Sequence, residues 1–281
     1  MAFPPRNLRP VKTCLLDIDG TLLDSQNRIP NTVYALMSQA IALGLRTALV
    51  TSRGVPAIPP VLKQLPESLA HQPFVAYQGA LVGALDQDGS LTKYFSITIP
   101  RSLASEVVNL AEARDLSIAW YCGSHWFTRA QTPLIKREAT LTQSRPTIVP
   151  SFVDLPRPHK IILFTPHRDA AHLATTLPQK KELTVYATYH SYVEITPRDA
   201  DKGTGAETLA EVLGINLKQA ISIGDGVNDL PLFAKTALCA AMLNAPDEVK
   251  NRANFILPSN EDGGVSRFLE MWIASLGRGY S

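Results

Sequence analysis

The chain has 281 residues and a formal net charge of +2, and 45% of its residues are apolar and 19% charged. This composition is that of an ordinary soluble globular protein, and its charge is too small to indicate a nucleic-acid partner. No stretch approaches the roughly 18 apolar residues of a membrane span, and the length predicts two domains. Three widely spaced cysteines and an N-terminus without an apolar signal region predict a cytoplasmic protein without disulfide bonds.

The first predicted strand ends in two carboxylates. An apolar run, Cys14–Leu16, leads directly into Asp17, Ile18, Asp19 and Gly20. Such a run, bounded by a turn signal, is typical of a buried parallel strand, and ligands bind beyond the carboxyl ends of these strands. Two carboxylates this close raise each other's pKa unless a cation lies between them. A hard divalent cation such as Mg²⁺, which takes oxygen ligands, is the natural companion.

The second predicted strand also ends in polar residues. A helix is predicted over 31–43, and an apolar strand over 45–50 ends at Thr51, Ser52 and Arg53. A strand, a helix and a strand of these lengths indicate parallel strands joined by a right-handed crossover. Both predicted strands therefore end in polar side chains at the ligand-binding edge of an α/β sheet.

The next segment is predicted to lead out of the parallel sheet. Three prolines confine a predicted helix over 55–65 to its later part, and a third strand over 74–77 is followed by Gln78 and Gly79. Apolar stretches on either side of Asp86–Gly89 predict a hairpin.

A block of mixed helices and strands, residues 85–189, lacks acidic strand ends, which favours a second domain inserted into the first. The first domain then comprises residues 1–84 and 190–281. Most aromatic and polar side chains of the inserted block are expected to pack within its sheet, because Trp and Tyr bury large areas. The side chains that we consider as possible ligand contacts are Trp120, Tyr121, His125, Trp126, Arg129, Tyr186, Tyr189 and His190.

Two further polar clusters follow the inserted block. Lys202 begins a predicted helix, and a strand over 220–223 is followed by Asp225. Asn228 and Asp229 then begin a short helix, and so many acid and amide side chains after a buried strand are unusual for a plain turn. The remaining predicted elements are a strand over 236–241, a helix from 246, a strand over 255–257 and a closing helix over 263–276.

These clusters, in this order, resemble the motifs of the haloacid dehalogenase superfamily of phosphotransferases, in particular its Cof-type branch, type IIB. The segments that carry the resemblance are 17–21, 50–53, 194–203 and 223–229, with the tail segments 241–245 and 262–265. The resemblance covers nearly the whole chain. It implies an α/β fold, in which a Rossmann-like core has a parallel sheet with helices on both faces and carries an inserted α/β cap domain.

Within this family the identity of Asp19 is informative. Ion-pumping members typically carry Thr in this place, whereas phosphomonoesterases and phosphomutases carry Asp, which can protonate a poor alkoxide leaving group. The resemblance therefore implies phosphomonoester chemistry. Three residues depart from the family pattern, since Ser52 and Leu243 replace usual glycines and Gln78 replaces a usual Asn. None of them removes a chemical group that the reaction needs.

The clusters supply the groups that a phosphoryl transferase needs, namely a nucleophile, a metal, an acid and donors to phosphoryl oxygens. Asp17 is the predicted nucleophile, which would form an aspartyl-phosphate, and Asp19 is the predicted acid and then base. Lys202 is predicted to hold the phosphate and Asp17. The predicted ligands of Mg²⁺ are Asp17, Asp19, Asp225 and Asp229, and Asp229 is also a candidate for orienting metal-bound water or Lys202.

The predicted contacts to substrate are Gly20, Thr51, Ser52, Arg53, Gln78, Gly79 and Asn228. Together these residues predict a Mg²⁺-dependent phosphatase acting on a sugar phosphate or on a phosphorylated cofactor or vitamin precursor. Two alternatives stay open: a phosphosugar mutase, which shares every motif, and a non-catalytic metabolite-sensing protein on the same scaffold. The expected partner is a small phosphorylated molecule, with no nucleic acid and no membrane, and the chain is expected to be a monomer or a homodimer.

Overall fold

The computed structural model describes residues 8, 10–166, 169–177, 180–188 and 190–277. These residues form two compact units, and the two largest sheets lie one in each unit. The first unit comprises the described residues up to Ser52, then Val61–Tyr94, and those from Asp201 onward. The second unit comprises Arg53–Pro60 and the described residues of Phe95–Ala200.

The secondary structure alternates between strands and helices along most of the described chain. The strands are β1 (Thr13–Leu16), β2 (Arg46–Leu49), β3 (Phe74–Ala76), β4 (Leu81–Leu85), β5 (Leu91–Ser96), β6 (Ser117–Cys122), β7 (His125–Thr128), β8 (Thr147–Ile148), β9 (Lys160–Phe164), β10 (Leu183–Thr188), β11 (Tyr192–Pro197), β12 (Ala220–Gly224), β13 (Leu238–Met242) and β14 (Phe255–Leu257). The α-helices are α1 (Asn31–Ala42), α2 (Pro59–Leu62), α3 (Arg101–Ala113), α4 (Pro133–Thr142), α5 (Ala170–Thr176), α6 (Lys202–Leu213), α7 (Leu230–Phe233), α8 (Asp247–Lys250) and α9 (Gly264–Gly277). None of the described helices is long and apolar enough to cross a membrane.

A parallel sheet of five strands, in the order β14-β13-β12-β1-β2, forms the centre of the first unit. All four residues of β1 are buried, as expected for a strand that pairs with a neighbour on each side. Leu16 lies opposite both Leu49 and Ile223, so β1, β2 and β12 end at the same edge. The residues after these strands, including Asp17 and Asp225, therefore follow the carboxyl edge of the sheet, where α/β proteins bind ligands.

Helices α1 and α9 pack against each other in the first unit. Their contacting sides carry buried apolar residues, among them Met37 and Ala40 of α1 and Phe268 and Trp272 of α9. Burial of each large side chain of this kind stabilises the fold by about 1.5–3 kcal/mol. The indole N–H of Trp272 donates to the carbonyl of Val11 at 2.9 Å, which satisfies the one polar atom of that side chain.

Strands β3, β4 and β5 form a separate sheet in that order, so the predicted hairpin is confirmed. A parallel bridge between Val50 and Val75 joins β3 to the end of β2. The predicted helix over 55–65 is wrong in extent. A 3₁₀ turn at Val55–Ala57 and the four residues of α2 replace it, because Pro56, Pro59 and Pro60 cannot donate backbone hydrogen bonds.

The second unit contains a six-stranded sheet in the order β10-β11-β9-β6-β7-β8. Neighbouring strands of this sheet are antiparallel except for β7 and β8, which are parallel. Strand β11 pairs with β9 and β10 and therefore belongs to this sheet. Besides the limits of Arg53–Pro60, the compact units divide at Tyr94/Phe95 and Ala200/Asp201. The domain boundaries that we placed after residue 84 and before residue 190 thus differ from these limits and stay a prediction.

One face of this second sheet is apolar. Ile118 and Trp120 of β6, Ile161 of β9 and Val193 of β11 belong to one buried cluster. Residues of α3 and α5 pack into the same cluster, and Trp120 stacks on Phe152 with ring centroids 5.5 Å apart. This face supplies the hydrophobic core of the second unit.

Residues that alternate with this core along the strands form a buried polar cluster on the other face. Lys160 Nζ donates to Glu194 Oε2 at 2.9 Å, and the Tyr186 hydroxyl donates to the same oxygen at 3.3 Å. The Tyr121 hydroxyl donates to Glu138 Oε1 at 2.7 Å. Burial raises the pKa of Glu138 above its usual value, although the Tyr121 hydrogen bond and nearby positive charges oppose the rise.

The aromatic residues considered as possible ligand contacts therefore divide between the two faces. Trp120 is part of the apolar core, whereas Tyr121 stacks on Trp126 at 5.3 Å beside the polar cluster. Arg129 is exposed and pairs with Glu112. Tyr189 lies outside the described residues.

Candidate active site

The loop after β1 places Asp17 at the edge of the parallel sheet. The Asp17 N–H donates to the Ile223 carbonyl at 3.0 Å, which extends the pairing with β12 by one residue. The Asp17 side chain is only 4% exposed, whereas Asp19 is exposed. The two carboxylates predicted to share the chemistry therefore differ in environment, with the predicted nucleophile buried and the predicted acid facing water.

Lys202, the first residue of α6, links two buried carboxylates. The preceding residue, Asp201, caps the helix by accepting the Thr204 N–H at 2.9 Å. The Lys202 side chain is fully buried, and its Nζ donates to Asp17 Oδ1 and to Asp229 Oδ1, both at 2.6 Å. Burial by itself lowers the pKa of Lys202, but the charges of the two aspartates raise it above its ordinary value. The lysine is therefore cationic in the neutral pH range.

Asp229 also closes the loop after β12. Its Oδ2 accepts the backbone N–H groups of Asp225 at 3.0 Å and of Gly226 at 2.9 Å. A Cβ atom at Gly224 would lie 2.4 Å from the Asp229 carboxyl carbon, so only glycine fits there. Both oxygens of Asp229 therefore already accept hydrogen bonds, Oδ1 from Lys202 and Oδ2 from the loop.

Asp17, Asp225 and Asp229 offer carboxylate oxygens that all lie within 4.8 Å of one another. Among the described residues, the Asp19 side chain is not part of this group, although its charge acts on Asp17 and Asp225. Burial raises the pKa of Asp17, Lys202 opposes the rise, and the neighbouring carboxylates add to it. Burial and the charge of Asp229 raise the pKa of Asp225 to about 6. Several carboxylates facing one ammonium group form a donor set that fits a hard divalent cation.

Gly20 allows the Asp225 carboxylate to lie against the loop after β1. Its φ of 72° is in the left-handed region, and a Cβ atom would meet Asp225 Oδ2 at 2.2 Å. The same carboxylate receives Thr21 Oγ1 at 3.5 Å and Asn244 Nδ2 at 3.1 Å. Neither Thr21 nor Asn244 was predicted as a site residue. Asn244 lies in the tail segment 241–245, which carried part of the family resemblance and could have indicated that this residue belongs to the site.

The loops after β2 and β3 are hydrogen bonded to each other. Thr51 is fully buried, its N–H donates to the Val75 carbonyl at 3.0 Å, and its carbonyl accepts the Gln78 N–H at 3.1 Å. Gln78 Oε1 accepts a hydrogen bond from Asn228 Nδ2 at 3.1 Å. The structure thus brings Thr51, Gln78 and Asn228 together, whereas Arg53 belongs to the second unit, where its charge acts on Glu138.

The turn after β3 has three successive residues with positive φ, namely Tyr77 at 53°, Gln78 at 64° and Gly79 at 110°. Non-glycine residues in this region are strained, and such strain concentrates at functional sites. A Cβ atom at Gly79 would lie 2.0 Å from the Asp201 carbonyl oxygen, just before Lys202. Gly79 therefore lets the turn approach the start of α6.

We expect Gly79→Ala to destabilise the protein more than Gly44→Ala. Both glycines have positive φ, and nothing lies within 4 Å of a Cβ atom at Gly44. Gly44→Ala should therefore cost only the conformational strain of roughly 1–2 kcal/mol. Gly79→Ala should add a backbone clash costing about 1–3 kcal/mol more. The free energy of unfolding in urea measures both, and equal losses would contradict the close contact with Asp201.

Comparison with known proteins identifies the family. A family model of haloacid dehalogenase-like hydrolases matches residues 14–269. A Haemophilus influenzae protein provisionally named a phosphatase is 27% identical over 264 residues, covering 92% of this chain and 97% of its own. A Bacillus subtilis 5-amino-6-(5-phospho-D-ribitylamino)uracil phosphatase is 23% identical, covering 94% of this chain and 99% of its own.

Solved structures have the same fold. A haloacid dehalogenase-like hydrolase from Bacteroides thetaiotaomicron superposes with a TM-score of 0.82 at 23% identity, over 92% of this chain and 98% of its own. A sugar phosphatase of subclass IIB superposes with a TM-score of 0.77 at 19% identity, over 92% and 98% of the two chains. The chain therefore belongs to the haloacid dehalogenase-like hydrolases, as a phosphoric monoester hydrolase.

Proposed function

We propose that this chain is a Mg²⁺-dependent phosphatase that hydrolyses small phosphorylated metabolites through an aspartyl-phosphate on Asp17. The observation that carries the proposal is the buried bridge from Lys202 Nζ to Asp17 and Asp229, both at 2.6 Å. It places a positive charge against Asp17, which opposes the rise in its pKa that burial and the neighbouring carboxylates cause. Because Lys202 holds Oδ1, the other oxygen of Asp17 is the one that attacks.

The proposed reaction has two steps. In the first, an Asp17 oxygen forms a bond to phosphorus, the bond from phosphorus to the ester oxygen breaks, and Asp19 gives its proton to that oxygen. In the second, Asp19 takes a proton from water as the water attacks the phosphorus of the aspartyl-phosphate. Inorganic phosphate leaves and Asp17 is regenerated. The exposure of Asp19 supports this role, because the acid must exchange protons with water.

Mg²⁺ would be held by Asp17 and Asp225, with Asp19 and Asp229 as the other predicted contributors. When bound, such an ion supplies positive charge that offsets the carboxylates and the phosphoryl oxygens. Asp229 acts mainly by holding Lys202 and the loop after β12, since its two oxygens already accept three hydrogen bonds.

The phosphoryl oxygens would be bound by Lys202, the Thr51 hydroxyl and the Ser52 N–H, with Asn228 held in place by Gln78. Hydrogen bonds from donors already fixed in the protein lower the cost of stabilising charge in the transition state. Gly20 and Gly79 act through the backbone by allowing close approach at Asp225 and Asp201. Arg53 stays a proposed substrate contact.

For the substrate class we propose a sugar phosphate or a phosphorylated cofactor or vitamin precursor. The Bacillus subtilis relative is named for a phosphorylated ribitylaminouracil, a molecule that combines a sugar-derived chain with a phosphomonoester.

Phosphate release from a panel of sugar phosphates, nucleotides, pyridoxal phosphate and flavin mononucleotide tests this proposal. We expect release with Mg²⁺ that is lost in excess EDTA and restored by added Mg²⁺. Isomerised sugar phosphate without free phosphate would identify a mutase instead. Saturable binding without turnover of any compound would identify a sensing protein. Release that is unchanged by EDTA would contradict the metal dependence.

A further inference from the structure

The tail segment 241–245 carries part of the family resemblance, yet none of its residues has a role in the proposed mechanism. Asn244 of this segment lies in the loop after β13, and its side-chain amide faces two parts of the site. Nδ2 donates to the Gly20 carbonyl at 2.8 Å and to Asp225 Oδ2 at 3.1 Å. One amide group thus joins the loop after β1 to the loop after β12.

The other end of the Asn244 amide is also fixed. Its Oδ1 accepts the Asn260 N–H at 3.2 Å, and Asn260 Nδ2 donates to the Leu23 carbonyl at 2.8 Å. Because Asn260 follows β14, the two asparagines connect the loops after four of the five strands of the parallel sheet. The orientation of the Asn244 amide is therefore set by contacts at both ends.

We propose that Asn244 is a positioning residue for the metal ligand Asp225, an inference that rests on the proposed function. Its N–H groups hold the Asp225 carboxylate against Gly20, where a Cβ atom would come within 2.2 Å of Oδ2. Asp225 lies among carboxylates that repel it, and a neutral donor restrains its position without adding charge. The Asn260 N–H binds Asn244 Oδ1 and so keeps the amide in the orientation in which Nδ2 donates to Asp225.

Removal of a hydrogen-bond partner behind a metal ligand typically lowers metal affinity by roughly 10–100-fold. We therefore expect Asn244→Leu, which keeps the size of the side chain but has no donor, to bind Mn²⁺ and Mg²⁺ less tightly by this factor. Isothermal titration of the purified full chain with each metal alone measures the affinity. At saturating metal, kcat should recover toward the wild-type value, because Asn244 touches neither substrate nor nucleophile.

Two variants serve as controls. Leu243→Ala changes the neighbouring, 47% exposed side chain of the same loop and should leave metal affinity unchanged. Asn260→Ala keeps the backbone N–H to Asn244 but loses the bond to Leu23, and should have a smaller effect than Asn244→Leu. The melting temperature in EDTA should be similar for Asn244→Leu and the wild type, which separates lost metal affinity from lost folding.

Three outcomes would overturn the inference. If the wild type binds metal and Asn244→Leu binds it equally well, Asn244 does not position Asp225. If Leu243→Ala loses as much affinity as Asn244→Leu, the loop as a whole is responsible rather than the amide. If the wild type binds neither metal, both this inference and the metal dependence of the proposed function fail.

Discussion

Asp17→Asn is expected to lower phosphate release by roughly 10⁴-fold or more, as the loss of a covalent nucleophile does in other enzymes. Asparagine has nearly the same shape, but its neutral amide oxygen is a poor nucleophile and would not form a stable acyl phosphate. The substitution keeps an acceptor for Lys202 Nζ, so the fold should remain intact. Steady-state kinetics at saturating Mg²⁺ measure the loss of phosphate release, and the melting temperature shows whether the fold is intact.

Asp247→Asn is the matched control for this variant. The Asp247 side chain is 93% exposed and lies 3.8 Å from Lys250, so its substitution should change neither activity nor stability measurably. In EDTA, Asp17→Asn should melt at or above the wild-type temperature, because one of the mutually repelling carboxylates is gone. Turnover retained in Asp17→Asn would contradict the assignment of the nucleophile.

Lys202→Met is expected to destabilise the protein by about 3–5 kcal/mol and to abolish turnover. The substitution leaves Asp17 and Asp229, which are 4% and 0% exposed, without the charge that both of them contact. Methionine fills much of the space of the lysine stem, so the loss is mainly electrostatic. The free energy of unfolding in urea, measured in EDTA, gives the size of the effect.

Lys235→Met is the matched control, since Lys235 pairs with Glu207 at 2.7 Å while both side chains are more than a third exposed. Loss of this surface pair should cost less than about 1 kcal/mol. The loss of unfolding free energy in Lys202→Met should shrink as the pH falls, because the raised pKa of Asp17 lets this unpaired side chain take up a proton and lose its buried charge. Equal losses for the two lysine variants would contradict a buried, charged bridge at Lys202.

The main elements of the site could be predicted because each is signalled by local sequence. A buried parallel strand is a short apolar run, and the polar residues after it must emerge at the carboxyl edge. This placed Asp17, Thr51 and Asp225 correctly at strand ends. The start of α6 at Lys202 was likewise predicted, and in the structure Asp201 caps this helix. The catalytic roles of these residues stay predictions.

Contacts between distant parts of the chain could not be predicted in this way. Asn244 and Gly20 are separated by 224 positions, and nothing in either loop indicates that the strands before them lie in one sheet. The contact between Lys160 and Glu194 could not be predicted either, because a charged residue in a strand, taken alone, is expected to be exposed. Asp229 was already a candidate for orienting Lys202, but nothing in the sequence indicated that its Oδ2 accepts two backbone N–H groups of its own loop. Pairing of this kind depends on strand order, which periodicity does not encode.

The assignment of Arg53–Pro60 to the second unit affects how this protein can be recombined with its relatives. The 3₁₀ turn at Val55–Ala57 packs on β7, and Val55 and Ile58 are buried. A chimaera that exchanges only residues 95–200 would therefore contain the six-stranded sheet of the relative and the Arg53–Pro60 segment of this protein. That segment packs on the sheet of this protein, and it would have to pack on a sheet of different sequence. Both segments must therefore move together, through four junctions rather than two, if the exchanged unit is to keep its own packing. For the same reason, we expect changes in the larger segment during evolution to be accompanied by compensating changes in the eight residues Arg53–Pro60, which follow β2 in the chain.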